Sequence, residues 1–123
     1  MGALCGAYPS AVRVRSRSTG LDFRLYEFRL GRKLILTAYL GDRPDIEHLR
    51  RRRAKKVGLD RNVFMASYVR AERGLVERES VVDVGERAET RFLHLWYSDL
   101  EPKDAGVADQ IIDSLHLCLV KAA

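Results

Sequence analysis

Residues 21–44 read LDFRLYEFRLGRKLILTAYLGDRP, and the reading of this stretch decides the fold. Leu21, Phe23 and Leu25 share one parity, while Tyr26, Phe28 and Leu30 share the other. Side chains alternate across a strand, so the switch at Leu25/Tyr26 implies a strand covered on both faces or a β-bulge there. Gly31-Arg32 then forms a two-residue turn with glycine first, as a type II′ hairpin requires. Residues 33–40, KLILTAYL, return as a second run rich in β-branched and aromatic residues. A helix through Leu21, Leu25 and Phe28 competes, but Gly31 and the second run favour a hairpin that leaves through Gly41-Asp42-Arg43-Pro44.

Upstream, residues 1–10 are small and Gly-rich and read as a flexible arm ahead of a single domain over residues 11–123. Residues 11–18, AVRVRSRS, alternate Val12 and Val14 with Arg13, Arg15 and Arg17. This suits an edge strand, since exposed arginines oppose edge-to-edge association. Downstream, Pro44 can open a helix capped by Asp42, with Ile46, Leu49, Arg53 and Val57 along one side and Gly58 stopping it. The apolar stripe is thin, so helix and solvated loop both stand for residues 44–57.

Residues 61–70 alternate as a strand, Arg73-Gly74 turns it, and residues 75–84 return with Val76, Val82 and Val84 on one parity. Glu77, Glu79 and Asp83 occupy the other parity and read as a wet face. Residues 90–98, TRFLHLWYS, are apolar on both parities and belong in the centre of the sheet. Pro102 suits a first helical turn, and Val107, Ala108, Ile111, Ile112, Leu115 and Leu119 recur at helical spacing. The expectation is an α+β domain: an antiparallel sheet of five or six strands with the C-terminal helix across one face.

The chain has 123 residues and a net charge of +5, but the charge is unevenly spread. Residues 1–60 carry a net +8 and residues 61–123 a net −3. Either a basic face awaits an anionic partner or the halves neutralise each other on folding. Cys5 and Cys118 stand alone at opposite ends, without zinc spacing, and can pair if the N-terminal arm lies beside the C-terminal helix. No apolar run approaches the ~20 residues that span a bilayer. The N-terminus has no signal-peptide pattern, although a mature or truncated form would also lack one.

Arg50, Arg51, Arg52, Arg53, Lys55 and Lys56 form a dense basic run. With Arg13, Arg15 and Arg17 it is the candidate surface for an anion or partner; the alternative is a solvated segment. Phosphate contacts need such cations, and single-strand binders add stacking aromatics, for which Tyr26, Tyr39 and Tyr68 are candidates. His48, His94 and His116 have no metal-ligand spacing. His116 and Cys118, two apart on a helix, face away from one another. No phosphate loop or nucleophile elbow is present. No catalytic residue, metal or cofactor is therefore expected. A His94-centred hydrolase needs a carboxylate or thiol within hydrogen-bond reach, inside a pocket.

Ala38-Tyr39-Leu40-Gly41-Asp42-Arg43-Pro44 resembles an aromatic-x-Gly-x-x-Pro turn of small uncharacterised bacterial proteins, often exported. Leu93-His94-Leu95-Trp96-Tyr97, followed by Ala108-Asp109-Gln110-Ile111-Ile112-Asp113-Ser114-Leu115, resembles their terminal strand-helix unit. The resemblance implies a compact α+β domain in or near a bacterial envelope, with no known activity. The missing export signal and the Arg-rich run depart from that pattern and leave the compartment open. The expected function is a non-enzymatic bacterial domain acting through protein or envelope contacts. A basic nucleic-acid-binding module is the alternative.

Overall fold

The computed structural model describes residues 2–18, 23–41, 44, 55–60, 63–83 and 92–119; residues 2–5, 18, 55–60, 63–64 and 116–119 are described by their backbone. The elements in chain order are β1 (Gly2–Cys5), β2 (Val12–Ser18), β3 (Arg24–Leu30), β4 (Lys33–Gly41), β5 (Lys55–Asp60), β6 (Val63–Glu72), β7 (Leu75–Asp83), β8 (Phe92–Leu100), α1 (Pro102–Asp113) and β9 (His116–Leu119). The main sheet is antiparallel throughout, in the order β2-β3-β4-β8-β7-β6-β5. It is two meanders joined along β4 and β8. α1 packs on one face, against β4, β7 and β8. The expected α+β architecture holds, and β8 is central.

β5 raises the main sheet to seven strands. The sequence of residues 44–57 suits helix and loop alike. Residues 45–54 lie outside the described residues, and 55–57 open a strand that runs through Gly58. Pairing with β6, with Val57 opposite Met65, supplies what local propensity lacks.

The opening hairpin forms as read. Gly31 has φ +63 and Arg32 does not enter the positive region, the pattern of a type II′ turn. The second hairpin, β6–β7, turns through Arg73 (φ 52) and Gly74 (φ 78), both positive as a type I′ turn demands. No bulge occurs at Leu25/Tyr26, where pairing with β4 is regular. Leu25 takes the helix-free face and Tyr26 the helix face, so β3 is apolar on both sides. The bulge sits across from Phe28/Arg29, which pair with Leu36 and Leu34 and leave Ile35 as the extra residue. Ile35 (0% exposed) and Leu36 (1%) consequently both enter the core, while Leu34 is exposed.

The core lies between α1 and the sheet. Ile35, Leu36, Ala38, Val82 and Leu95 meet Ala105, Ala108, Ile111 and Ile112. Pro102 opens the helix, as its fixed φ allows. α1 ends at Asp113, before the Leu119 that its periodicity suggested, because residues 116–119 leave it to pair with β1. Residues 2–5 of the expected flexible arm thus contribute a strand. The arm is tied further where the Ala7 N–H donates to Ser114 Oγ at 2.8 Å. The register sets Cys5 opposite His116 and Cys118 opposite Ala3. The two cysteines are diagonal neighbours across this ladder.

Candidate functional site

Three clusters of polar residues stand out, one on the helix face of the sheet and two on the other. On the helix face, Arg78 is 8% exposed. Its parity, shared with Val76 and Val82, points it at α1. Its Nη1 donates to Asp109 Oδ1 (3.1 Å), its Nη2 to Asp113 Oδ1 (3.0 Å) and its Nε to Ser67 Oγ (3.2 Å). Tyr97 Oη donates to the same Asp109 oxygen at 2.9 Å, and Ser67 and Ser80 share a 2.8 Å hydrogen bond. Burial opposes the charge of Arg78, but hydrogen bonds and attraction from Asp113 and Asp109 outweigh it and raise its pKa. This cluster clamps the helix to the sheet, as does Lys33 with Asp104 at 3.1 Å.

Tyr97 carries a pH consequence. Burial, then the hydrogen bond to Asp109 and that carboxylate's charge, raise its pKa well above the ordinary phenol value. Its unfolded counterpart titrates near 10. The stabilisation is therefore complete below about pH 10 and is lost as pH rises toward the folded value. Urea unfolding between about pH 9 and 11.5 is expected to show stability falling, with up to about 1.4 kcal/mol per pH unit from this group. Tyr97→Phe should flatten that fall; an unchanged slope would count against the assignment.

The helix-free face can be read as rows across the strands. One row runs Arg17, Leu25, Tyr39, His94, Val81, Ala66, Lys56; its neighbour runs Arg15, Glu27, Thr37, Trp96, Glu79, Tyr68. Diagonally across these rows, His94 Nε2 lies 2.6 Å from Glu79 Oε1, and both residues are buried. Tyr68 Oη donates to Glu79 Oε2 at 3.0 Å, and the Trp96 ring lies 4.8 Å from the His94 ring. Glu79 therefore departs from the wet face read for Glu77, Glu79 and Asp83. The carboxylate that a His94-centred site requires is present. Among the described residues, no serine, threonine or cysteine is hydrogen-bonded to His94 to act as a nucleophile.

At the β2 edge of this face the charge is not balanced. Arg13, Arg15 and Arg17 are exposed. Arg17 Nε lies 3.1 Å from Glu27 Oε1, and Arg29 Nη2 lies 3.1 Å from Glu27 Oε2. Arg13 and Arg15 have no ion-pair partner among the described residues, and Arg13 stands directly across from Arg29. Two arginines thus share one carboxylate, with Arg15 across from Glu27 in the ladder and Arg13 across from Arg29. Like charges directly opposite are destabilising in a sheet. Between described residues, Lys33–Asp104 is the ion pair that joins the basic and acidic halves of the chain; the others form within one half. Among the described residues, the two halves of the chain thus neutralise each other through the ion pair at Lys33–Asp104 alone.

The structure does not bring all the candidate basic residues together. Arg50, Arg51, Arg52 and Arg53 lie outside the described residues. Lys55 and Lys56 begin β5, at the opposite edge of the sheet from Arg13, Arg15 and Arg17. Six strand spacings separate those edges, roughly 29 Å along the sheet. The tyrosines are already engaged: Tyr26 packs on the core, Tyr39 lies against Phe23 with ring centroids 5.2 Å apart, and Tyr68 bonds Glu79.

Sequence reasoning missed Arg78, Asp109, Asp113, Tyr97 and the Glu79–His94 pair. A signal for the first cluster was present. Arg78 and Ser80 share the parity of Val76 and Val82, and a charge on a core parity needs a partner. Asp109 and Asp113, four apart on the helix, are such a partner. The Glu79–His94 pair depends on the register of β7 against β8, which no local pattern specifies. Comparison with protein-family models, with curated proteins and with solved structures gives no match for this chain, so site and fold are interpreted on their own geometry.

Proposed function

We propose that the chain is a non-enzymatic bacterial domain acting through protein or envelope contacts, with the basic corner of β2 and β3 as its contact surface. The uncompensated charge around Glu27 carries this reading. Folding leaves Arg13 and Arg15 exposed and unpaired, at an edge with no neighbouring strand among the described residues. An anionic partner would relieve that repulsion. The bacterial and envelope setting rests on the resemblance of the Ala38-to-Pro44 turn and the terminal strand-helix unit.

A nucleic-acid-binding module using Arg50, Arg51, Arg52, Arg53, Lys55 and Lys56 with Arg13, Arg15 and Arg17 is the competing proposal. It has less support, because β2 and β5 are edges apart and the tyrosines are engaged in packing or hydrogen bonds. Titration with labelled single- and double-stranded oligonucleotides at about 0.15 M salt separates the two. The expected result is no saturable binding, together with retention of a defined protein partner from the native host. Oligonucleotide binding that disappears on changing residues 50–53 to alanine, or turnover in a substrate screen, would overturn the proposal.

A further inference from the structure

From the basic corner we infer that β2 is a docking edge for an acidic extended segment of another protein, which adds to the sheet as an eighth strand. The inference rests on the binding-domain reading above and names the class of partner. The seven residues of β2 pair with β3 on one side and with no strand on the other among the described residues. The outward edge of such a strand presents backbone N–H and C=O groups to whatever lies beside it. Strand addition uses those groups for affinity and alternate side chains for specificity.

The side-chain pattern selects the occupant. Val12 is buried in the core and Val14 is half-buried, so β2 is anchored on its helix face. Arg13, Arg15 and Arg17 alternate on the opposite face and stand clear of the pairing edge, because side chains in a sheet project perpendicular to it. An incoming strand with acidic residues at every second position places its carboxylates directly across from these arginines. A second copy of β2 would instead set arginine against arginine, and that repulsion disfavours self-association. The same three side chains therefore reject a copy of the chain and accept an acidic strand.

The probe is a capped peptide of about eight residues alternating glutamate and valine, matched to the length of β2, titrated against the full chain by fluorescence anisotropy. The expected result is saturable binding that weakens as salt is raised from about 0.05 to 0.2 M. Arg13→Ala combined with Arg15→Ala should lower affinity about tenfold. Hydrogen exchange should show new amide protection in β2. A version of the peptide N-methylated along its pairing edge keeps the charge but cannot form the ladder, and is expected not to bind.

Equal binding by the methylated peptide would mean a charge contact without strand addition, and would overturn the inference. So would protection appearing on another strand, equal affinity in the double variant, or tighter binding of an oligonucleotide. If a native partner is retained equally by wild type and by the Arg13→Ala, Arg15→Ala variant, the docking edge and the basic corner both fail as the contact surface, while a non-enzymatic domain that binds a protein through another surface stands. Both arginines are exposed, so loss of folding does not confuse the outcome.

Discussion

Arg78→Ala is expected to lower unfolding stability by about 3 kcal/mol, the low end for breaking a buried ion pair by removing one partner. The low end applies because the carboxylates left behind are not sealed in: the side chains of Asp109 and Asp113 are 35% and 63% exposed and can take up water. What is lost is the clamp between β7 and α1, the hydrogen bond to Ser67 and the packing of the arginine stem. Arg78→Met retains much of the volume and should cost only about 1–2 kcal/mol. Urea unfolding measures both. If Arg78→Ala moved stability by less than about 0.5 kcal/mol, the cluster would be surface decoration rather than a clamp.

Glu79→Ala should cost about the same, roughly 3 kcal/mol, for a different reason. It removes the acceptor of Tyr68 Oη and the partner of His94 Nε2 together, on a part of the sheet where both Glu79 and His94 are buried. Glu79→Gln keeps an oxygen for Tyr68 and an amide that can meet either tautomer of His94, and should cost about 1 kcal/mol or less. A double-mutant cycle with His94→Ala reads the coupling directly. Additive losses from the two single changes would show that the 2.6 Å contact contributes nothing of its own. The pair is accordingly a fastener of the helix-free face, holding β7 to β8 under the Trp96 ring.

These two clusters brace the sheet that carries the basic corner. The Arg78 clamp keeps α1 on one side of the sheet, and the Glu79–His94 pair locks adjacent strands on the other. β2 lies three and four strands away from them, at the edge. Changes at Arg13 and Arg15 are consequently independent of the fasteners, and their effects on binding should add to those on stability without coupling.

Much of the scaffold is legible in the sequence. Gly31-Arg32 declared its turn because only a residue tolerant of positive φ begins a II′ hairpin. Arg13, Arg15 and Arg17 declared an edge because three cations on alternate positions cannot enter a core. Phe92 to Tyr97, apolar on both parities, declared the central strand, since a central strand packs both of its faces. The basic run was legible as charge but not as geometry. Nothing in residues 55–60 competes locally with helix or loop, and β5 exists because β6 offers it a ladder.

From sequence alone came the fold class, the central strand, the Gly31 turn and the basic edge, because each follows from local periodicity or backbone sterics acting over a few residues. Tertiary structure alone decided where the bulge falls, which carboxylate meets His94, that the N-terminal arm pairs with β9, and that Lys55 and Lys56 lie at the opposite edge from Arg13, Arg15 and Arg17. Those outcomes depend on strand register and on chain segments far apart in sequence. Register follows from how all the faces bury together, and no single stretch of residues contains that information.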